Sequence, residues 1–233
     1  MKTSAIIVAA GSGTRLGRSE PKAFVTLAGR TLLSWSLATI AQVPTIEEVV
    51  IAVPAGREAA ARREASALSI PVKITLGGAE RQDSVRIALA LTSAQSEVVI
   101  IHDAARPLAS AKTFAACLAA AYRAGGAIAA IPVADSLKRV DASRTISASV
   151  PRSNLWQAQT PQAFRRALII AAHDRATRDQ VAATDDSDLA ERIGVRVEVI
   201  ECTPRNLKIT TAADLELADA LLGAQPEIKP GGG

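Results

Sequence analysis

Short apolar runs alternate along the chain with longer segments of helical composition. The runs that predict buried strands are Ala5–Ala9, Glu48–Val53, Val72–Leu76, Glu97–Ile101, Gly126–Val133 and Val195–Ile200. Between them, apolar positions recur three or four residues apart, as at Leu33, Leu37 and Ile40, which is typical of a helix that packs on a sheet. This alternation predicts an α/β fold with a mostly parallel, twisted sheet flanked by helices.

The helical segments begin with residues that favour a helix N-terminus. One helix is predicted after Thr31, and another after the acidic turn at Thr184–Asp188, whose charges suit the helix dipole. Thr160–Phe164, with a proline near its start, is interpreted as the first turn of a further helix. The remaining predicted helices are Gly56–Leu68, Lys112–Arg123 and Thr211–Leu222.

Residues 134–159 depart from this pattern, because apolar positions are sparse and Val140–Ile146 can form a hairpin. An inserted polar hairpin can serve as an arm for dimerisation or for closure over a substrate, or it can be an ordinary surface excursion. We expect residues 1–222 to form a single domain that carries this arm. Residues 223–233, rich in proline and glycine, are expected to be a disordered tail or a linker.

Composition narrows the classes of function. The net charge of +4 comes from scattered rather than clustered cations, and aromatic residues make up only 3% of the chain, so nucleic-acid binding is not expected. Cys117 and Cys202 are far apart and suggest buried free thiols rather than a disulfide or a zinc site. No signal peptide or membrane-length apolar run is evident, so a cytoplasmic protein without a membrane partner is expected.

The first apolar run, Ala5–Ala9, ends in a glycine-rich loop at Gly11–Thr14 that is followed by two cations, Arg15 and Lys22. Because glycines lack a Cβ, backbone N–H groups of such a loop can approach a ligand closely. A strand, a glycine loop and two cations predict a polyphosphate site. An ordinary strand-to-helix turn with surface cations is the alternative.

Two well-known phosphate loops do not fit this stretch. A dinucleotide-binding fingerprint needs a third glycine where Leu16 stands. It also needs an acidic residue after the second strand, but the second predicted strand ends at Val53 and is followed by proline. A P-loop needs four residues between its glycines and then lysine, whereas Gly11 and Gly17 enclose five, and Gly13 and Gly17 enclose three.

A second glycine loop follows the third predicted strand. In Gly77–Ser84, a glycine pair leads into a polar helix start. Helix N-termini carry free N–H donors and partial positive charge, so this stretch is a second candidate ligand loop. A capped helix after a glycine turn is the alternative.

Asp103 lies just beyond the apolar run Glu97–Ile101. Ligands of open α/β sheets bind beyond the carboxyl ends of the strands, and a carboxylate there suits Mg²⁺ on the phosphates of a nucleotide. A helix cap or an ion pair with Arg106 is the alternative role. The neighbouring His102 is interpreted as structural rather than catalytic.

With these residues in place, the chain resembles the 2-C-methyl-D-erythritol 4-phosphate cytidylyltransferases of the non-mevalonate isoprenoid pathway. The resemblance runs from Ile6 to about Leu222. It rests on ordered blocks: AAGSGTRLG with PKAF, GGAERQDSV, HDAARP, PVADSLKR, VPRSNLWQAQTPQAF, ATDDS and NLKIT. The first block is shared by many sugar nucleotidyltransferases, and the combination through TPQAF and NLKIT is far more specific.

This resemblance implies a Rossmann-like nucleotidyltransferase fold with a protruding β-arm that pairs two subunits. It implies that Arg15 and Lys22 stabilise the transition state. It also implies that the substrate phosphate is positioned by Lys208 and by a second cation, Arg152, which reaches over from the arm of the partner subunit. Positions that hold the cytidine part of CTP correspond to Ala9, Ala10, Gly11, Gly78 and Ser84. Asp103 corresponds to the acidic residue beside Mg²⁺ or another divalent cation, and the other substrate positions correspond to Arg106, Ser136, Thr160 and Thr184.

The chain departs from the family pattern at two positions. Ser136 stands where we associate a threonine with the family, which keeps the hydroxyl, and Ala79 stands where some relatives have an acidic residue. The implied reaction joins the phosphate of methylerythritol phosphate to the α-phosphorus of CTP and releases pyrophosphate. Two alternatives stay open: a cytidylyltransferase for another polyol phosphate, such as ribitol 5-phosphate, and a catalytically silent nucleotide-binding regulator.

Overall fold

The computed structural model describes residues 2–11, 13, 16 and 20–223. The strands are β1 (Thr3–Val8), β2 (Thr26–Leu27), β3 (Arg30–Thr31), β4 (Ile46–Val53), β5 (Val72–Leu76), β6 (Val98–Asp103), β7 (Gly126–Pro132), β8 (Leu137–Val140), β9 (Ile146–Val150), β10 (Trp156–Arg165) and β11 (Val197–Glu201). The α-helices are α1 (Leu32–Ile40), α2 (Glu58–Glu64), α3 (Arg81–Leu91), α4 (Ala111–Ala124), α5 (Arg166–Arg178), α6 (Asp186–Arg192) and α7 (Ala212–Gly223). Arg15 and the tail from residue 224 lie outside the described residues.

The main sheet has the strand order β11-β7-β10-β6-β1-β4-β5. β1 runs parallel to β4 and β6, β4 parallel to β5, and β7 parallel to β11, whereas β10 runs antiparallel to both of its neighbours. The prediction of a mostly parallel sheet is therefore confirmed. Among the described residues, no helix is both long and apolar enough to cross a membrane.

Helices cover both faces of this sheet. Successive residues of the central strand β1 point to opposite faces, with Ile7 packed in one cluster and Ile6 in the other. The first cluster includes Leu33 and Leu37 of α1 and Phe114 and Leu118 of α4. The second cluster includes Val85 and Leu89 of α3 and Ile169 of α5. Burial on both faces explains why β1, β4 and β6 are apolar runs rather than alternating ones.

The prediction that Thr160–Phe164 opens a helix is wrong, because this segment belongs to β10 and the helix begins at Arg166. Gln162 pairs with β6 on one side and β7 on the other, and the register with β7 is interrupted between Ala158 and Gln162. Pro161 falls inside that interruption, where no ladder hydrogen bond requires its missing N–H. A proline near a helix start and a proline in a strand irregularity look alike in the sequence.

The predicted hairpin is confirmed as a separate two-stranded antiparallel sheet, β8–β9. Its turn is organised by Asp141, whose Oδ1 accepts hydrogen bonds from the backbone N–H groups of Ser143 and Thr145 at 2.9 and 3.0 Å. Val140 and Ile146 are 51% and 62% exposed on it. The arm therefore presents two apolar side chains that are each more than half exposed.

At the amino end of the sheet, Glu48 of β4 is the centre of a buried polar cluster. Its carboxylate accepts hydrogen bonds from Ser4 Oγ at 2.5 Å, from Lys73 Nζ at 3.0 Å and from the backbone N–H of Ser93. Burial alone would raise the pKa of Glu48, but these hydrogen bonds and the charge of Lys73 hold it below its usual value. This cluster lies at the opposite end of the strands from Asp103.

Candidate active site

A cavity of about 400 Å³ opens at the carboxyl ends of β1 and β6. Three segments form its walls: residues 8–11 at the end of β1, residues 78–81 at the start of α3, and residues 103–105 at the end of β6. Lys22, Ala23, Ser84 and Lys208 complete the lining. The cavity therefore lies where open α/β sheets bind their ligands.

The first two walls approach closely because of a glycine. A Cβ on Gly77 would overlap the Cβ of Ala10 and lie 2.8 Å from Oγ of Ser84. Ser84 Oγ accepts a hydrogen bond from the backbone N–H of Gly78 at 3.1 Å and donates one to the carbonyl of Glu80 at 3.2 Å. The loop from Gly77 is thus fixed against both β1 and its own helix α3.

Asp103, the last residue of β6, lies at the far end of this cavity with its carboxylate almost completely buried. Oδ1 accepts from Arg81 Nε at 2.9 Å, and Oδ2 accepts from Lys208 Nζ at 2.6 Å. Burial raises the pKa of Asp103, but the charges of Arg81 and Lys208 outweigh burial and hold the pKa far below its usual value. The carboxylate is therefore ionised, and the alternative ion pair with Arg106 is not the one formed.

Lys208 reaches Asp103 from the segment that follows β11. The backbone N–H of Ile209 donates to the carbonyl of Ala105 at 2.8 Å, which joins this segment to the end of β6. Asn206 donates through Nδ2 to the carbonyl of Thr160 at 2.9 Å. These contacts explain why a lysine distant in sequence lies beside Asp103.

A second cavity, of about 250 Å³, lies on the other side of Asp103. It shares Arg81, Asp103 and Lys208 with the first cavity. Its remaining lining consists of Arg106, Ala158, Gln159, Thr160, Gln162, Thr184 and Asp185. Two cavities that meet at one carboxylate and two cations can bring two anionic ligands together.

His102 supports the second cavity from beneath. Its Nδ1 lies 3.1 Å from Thr160 Oγ1, and its Nε2 lies 3.2 Å from the carbonyl of Arg106. Burial lowers the pKa of His102 to about 4, so the ring is neutral near pH 7. Thr160 Oγ1 also accepts the backbone N–H of Asp103 at 3.0 Å. His102 therefore has the structural role that the sequence suggested.

The ion-pair network continues behind Asp103. Arg81 Nη1 donates to Asp186 Oδ2 at 2.7 Å, and His173 Nε2 lies 3.0 Å from Asp186 Oδ1. Burial raises the pKa of Asp186, but Arg81 and His173 outweigh it and keep the pKa low. Arg81 and Asp186 lie in sequence blocks that carry the family resemblance, but neither is among the predicted site residues. In the sequence, the acidic turn that contains Asp186 indicates only a favourable helix start.

A family model described as IspD, 2-C-methyl-D-erythritol 4-phosphate cytidylyltransferase, matches residues 3–224. The chain belongs to this family. The resemblance seen in the ordered sequence blocks is thereby confirmed, and with it the class of enzyme: a cytidylyltransferase, which is a nucleotidyltransferase.

Relatives match this cytidylyltransferase along nearly their whole length. The 2-C-methyl-D-erythritol 4-phosphate cytidylyltransferase of Deinococcus radiodurans is 47% identical over 222 residues, which cover 95% of this chain and 90% of the relative. The enzyme of the same name from Syntrophus aciditrophicus is 40% identical over 227 residues, covering 95% of this chain and 96% of the relative.

Solved structures with the same fold support the assignment. The 2-C-methyl-D-erythritol 4-phosphate cytidylyltransferase from Thermus thermophilus superposes with a TM-score of 0.80 at 37% identity, over 95% of this chain and 98% of that one. The 4-diphosphocytidyl-2C-methyl-D-erythritol synthase from Anaerococcus prevotii gives a TM-score of 0.84 at 30% identity, with the same two coverages. The expected Rossmann-like nucleotidyltransferase fold is confirmed.

The structure brings most of the site residues predicted for this cytidylyltransferase to the two cavities. Around the first lie Ala9, Ala10, Gly11, Lys22, Gly78, Ser84, Asp103 and Lys208, and along the second lie Arg106, Thr160 and Thr184. Ser136 and Arg152 are exposed near the arm and line neither cavity of their own chain. Arg15 lies outside the described residues.

The predicted cation would be held by Asp103. Within the described ranges, no cluster of three or more His, Cys, Asp or Glu side chains forms a metal site. Mg²⁺ does not need such a cluster, because proteins commonly bind it through one or two carboxylates together with water and substrate phosphates. An ionised carboxylate that faces both cavities therefore fits a nucleotide-bound Mg²⁺.

Proposed function

We propose that this protein transfers the cytidylyl group of CTP to 2-C-methyl-D-erythritol 4-phosphate. The products are 4-diphosphocytidyl-2-C-methyl-D-erythritol and pyrophosphate. The observation that carries this proposal is the pair of cavities that meet at Asp103, Arg81 and Lys208. One is walled by backbone loops suited to a nucleotide, and the other is lined by hydroxyl and guanidinium groups suited to a polyol phosphate.

The reaction needs no general base. A phosphate monoester has a second pKa of about 6, so it is largely a dianion at pH 7. One of its oxygens can therefore attack the α-phosphorus of CTP directly. The one histidine beside the cavities, His102, is neutral and held in internal hydrogen bonds. The protein instead has to hold two polyanions in line and neutralise charge on the group in transit.

Two cations of the cavities suit that task. Lys22 lines the first cavity, and Lys208 lines both, so Lys22 can stabilise the α-phosphate of CTP while Lys208 orients the incoming phosphate. We expect Arg15 to act beside Lys22. Mg²⁺ held by Asp103 would supply further charge neutralisation at the nucleotide phosphates.

A second copy of the chain is part of the proposal. Val140, Ile146, Leu155 and Trp156 expose between 37% and 62% of their surface on or beside the arm, which suits burial against a partner. Ser136 and Arg152 lie in the same region, outside the cavities of their own chain. We therefore expect a homodimer in which Arg152 of the partner subunit completes the second cavity.

This subunit arrangement predicts complementation between two impaired variants. Arg152→Ala and Lys208→Ala would each impair both sites of a homodimer, so neither alone should turn over a low concentration of the methylerythritol phosphate. Mixing and reassociating equal amounts should restore about a quarter of wild-type turnover, because half of the dimers are mixed and each has one intact site. No recovery, although co-purification of differently tagged chains shows mixed dimers, would contradict a shared site.

The proposal also includes a reducing compartment, the cytoplasm, since Cys117 and Cys202 are both free thiols. It involves no nucleic acid and no membrane.

Pyrophosphate release tests the substrate pair. We expect release that requires CTP, Mg²⁺ and 2-C-methyl-D-erythritol 4-phosphate together, with little release from UTP or ATP. Release only with ribitol 5-phosphate would retain the chemistry and change the acceptor. CTP binding without release for any acceptor would contradict the proposed enzyme.

A further inference from the structure

Five polar side chains form a continuous chain of contacts that runs from the buried core to the place where the two cavities meet. In order they are His173, Asp186, Arg81, Asp103 and Lys208, joined by contacts of 3.0, 2.7, 2.9 and 2.6 Å. The last two belong to the predicted site, whereas the first three have no role in the proposed reaction so far. The carboxylates of Asp103 and Asp186 balance the charges of Arg81 and Lys208.

Arg81 is the member that both carboxylates orient. Its Nε and Nη1 are bound to Asp103 and Asp186, and its Nη2 is buried without a hydrogen-bond partner. A guanidinium is planar and rigid, so two carboxylates on different edges fix both its position and its plane. Asp186 and His173 are each 1% exposed, so this end of the line cannot relax into water.

The same contacts join the walls of the two cavities. Arg81 begins α3, directly after the loop of the first cavity, and Asp186 begins α6, directly after Thr184 and Asp185 of the second cavity. The neighbouring residue Gln82 reinforces this link, since its Oε1 accepts from the backbone N–H of Ala183 at 2.9 Å.

Gln162 fixes the other side of α6. Its Oε1 accepts from the backbone N–H of Asp186 at 3.2 Å, and its Nε2 donates to Asp185 Oδ2 at 2.9 Å. The start of α6 is therefore tied both to the central strand β10 and, through Arg81, to α3. A displacement of Asp186 would be transmitted to the place where the cavities meet.

We propose that Asp186, supported by His173, is a positioning residue for the transfer reaction. It holds Arg81 where Arg81 fixes the Asp103 carboxylate, and thereby Lys208, between the two bound substrates. This role rests on the proposed function and adds two residues, Asp186 and His173, that line neither cavity. Without the Asp186 charge, Arg81 has a single anionic partner and can follow or displace Asp103.

Asp186→Asn is the decisive variant because it keeps the shape of the side chain and removes its charge. Its matched control is Asp188→Asn, which removes the same charge from the same helical turn but affects only an exposed ion pair with Arg192. Both are assayed as full-length protein, well below their melting temperatures, with CTP, Mg²⁺ and 2-C-methyl-D-erythritol 4-phosphate.

We expect Asp186→Asn to lower kcat by about 10-fold or more, while KM for each substrate changes by less than about 3-fold, because the fault lies in alignment rather than in binding. Asp186→Glu, which restores the charge, should recover part of kcat. CTP affinity by calorimetry should stay within about 3-fold of wild type, since the loops of the first cavity are intact.

A double-mutant cycle with Arg81→Lys shows whether Asp186 and Arg81 affect kcat as one unit or independently. If Asp186 acts through Arg81, the double variant should be no more than about 3-fold slower than the slower single variant. If the kcat of the double variant instead falls by the product of the two single losses, Asp186 does not act through Arg81.

Other outcomes are equally decisive. If Asp186→Asn is less stable but has kcat and both KM values within about 2-fold of wild type, its role is structural only and the proposal is overturned. If that variant does not fold, His173→Leu replaces it, because it removes the hydrogen bond from His173 to Asp186. Its control is His173→Gln, which keeps a hydrogen-bond donor. Equal kcat values for these two variants would overturn the proposal. Wild-type protein without transfer activity would instead contradict the proposed function.

Discussion

Asp103→Asn should damage both the stability and the chemistry of this protein. Asp103 is 5% exposed, and its two oxygens separately bind Arg81 and Lys208. The substitution preserves the volume of the side chain and removes the anion that these two cations share. Arg81 keeps Asp186, whereas Lys208 has no other side-chain hydrogen-bond acceptor among the described residues.

The size of the effect follows from burial. Removing one partner of a buried ion pair typically costs roughly 3–5 kcal/mol of folding free energy. The Lys208 side chain is 40% exposed and can be rehydrated, and Arg81 retains one carboxylate, so we expect the lower end, about 3 kcal/mol. For a domain of this size that loss corresponds to a decrease in Tm of roughly 6–12 °C.

The assay combines thermal unfolding with steady-state kinetics. Turnover should decrease by about 10²-fold or more, because the carboxylate that would hold the divalent cation and Lys208 is gone. The control is Asp174→Asn, because Asp174 is an exposed aspartate on α5. This substitution should change the free energy of unfolding by no more than about 0.5 kcal/mol. A decrease in Tm below about 2 °C, with turnover within about 3-fold of wild type, would refute this reasoning.

Four further results are expected. Lys22→Ala should lower turnover by roughly 10²-fold, as for the loss of one preorganised donor, and near-normal kcat would count against its role. Lys208→Ala should raise KM for the methylerythritol phosphate more than it weakens CTP binding, and calorimetry showing equal losses would count against it. Glu48 has a folded pKa below its usual 4.5, so it contributes stability above that pH that is lost on acidification. Thus, between about pH 5 and 3, the Tm of Glu48→Gln should fall less steeply with pH than that of the wild type. Parallel Tm curves for the two proteins would contradict this role of Glu48. Burial raises the pKa of Cys117 to about 12, so an aromatic disulfide reagent should modify it only after unfolding.

Much of the first cavity could be predicted from sequence because it is built from local signals. An apolar run followed by glycines marks the end of a buried strand, and such ends meet at one edge of a parallel sheet. Gly11 and Gly78 each follow a strand in this way, Asp103 ends one, and all three line the cavity. Lys22 follows the first glycine loop closely and was predicted with it, whereas Lys208 was assigned by resemblance to the family, because periodicity gives no sign of where a distant lysine lies.

What the sequence left hidden depends on pairing between distant segments. Arg81 and Asp186 are 105 residues apart, and each looks like an ordinary polar residue at a helix start. β10 was misread for a similar reason, since its antiparallel position between β6 and β7 is a property of the whole sheet. The proposed role of Arg152 involves a second subunit, and no pattern within one chain specifies a contact between two subunits.

The most direct test of the mechanism is to follow the oxygens of the acceptor phosphate. The three non-bridging oxygens of 2-C-methyl-D-erythritol 4-phosphate are labelled with ¹⁸O, and the products are analysed by mass spectrometry and ³¹P NMR. Attack of this phosphate on the α-phosphorus predicts that all the label stays in the cytidylyl product, with one labelled oxygen bridging its two phosphorus atoms, and that pyrophosphate is unlabelled. Label in pyrophosphate, or loss of a labelled oxygen from the product, would contradict the account.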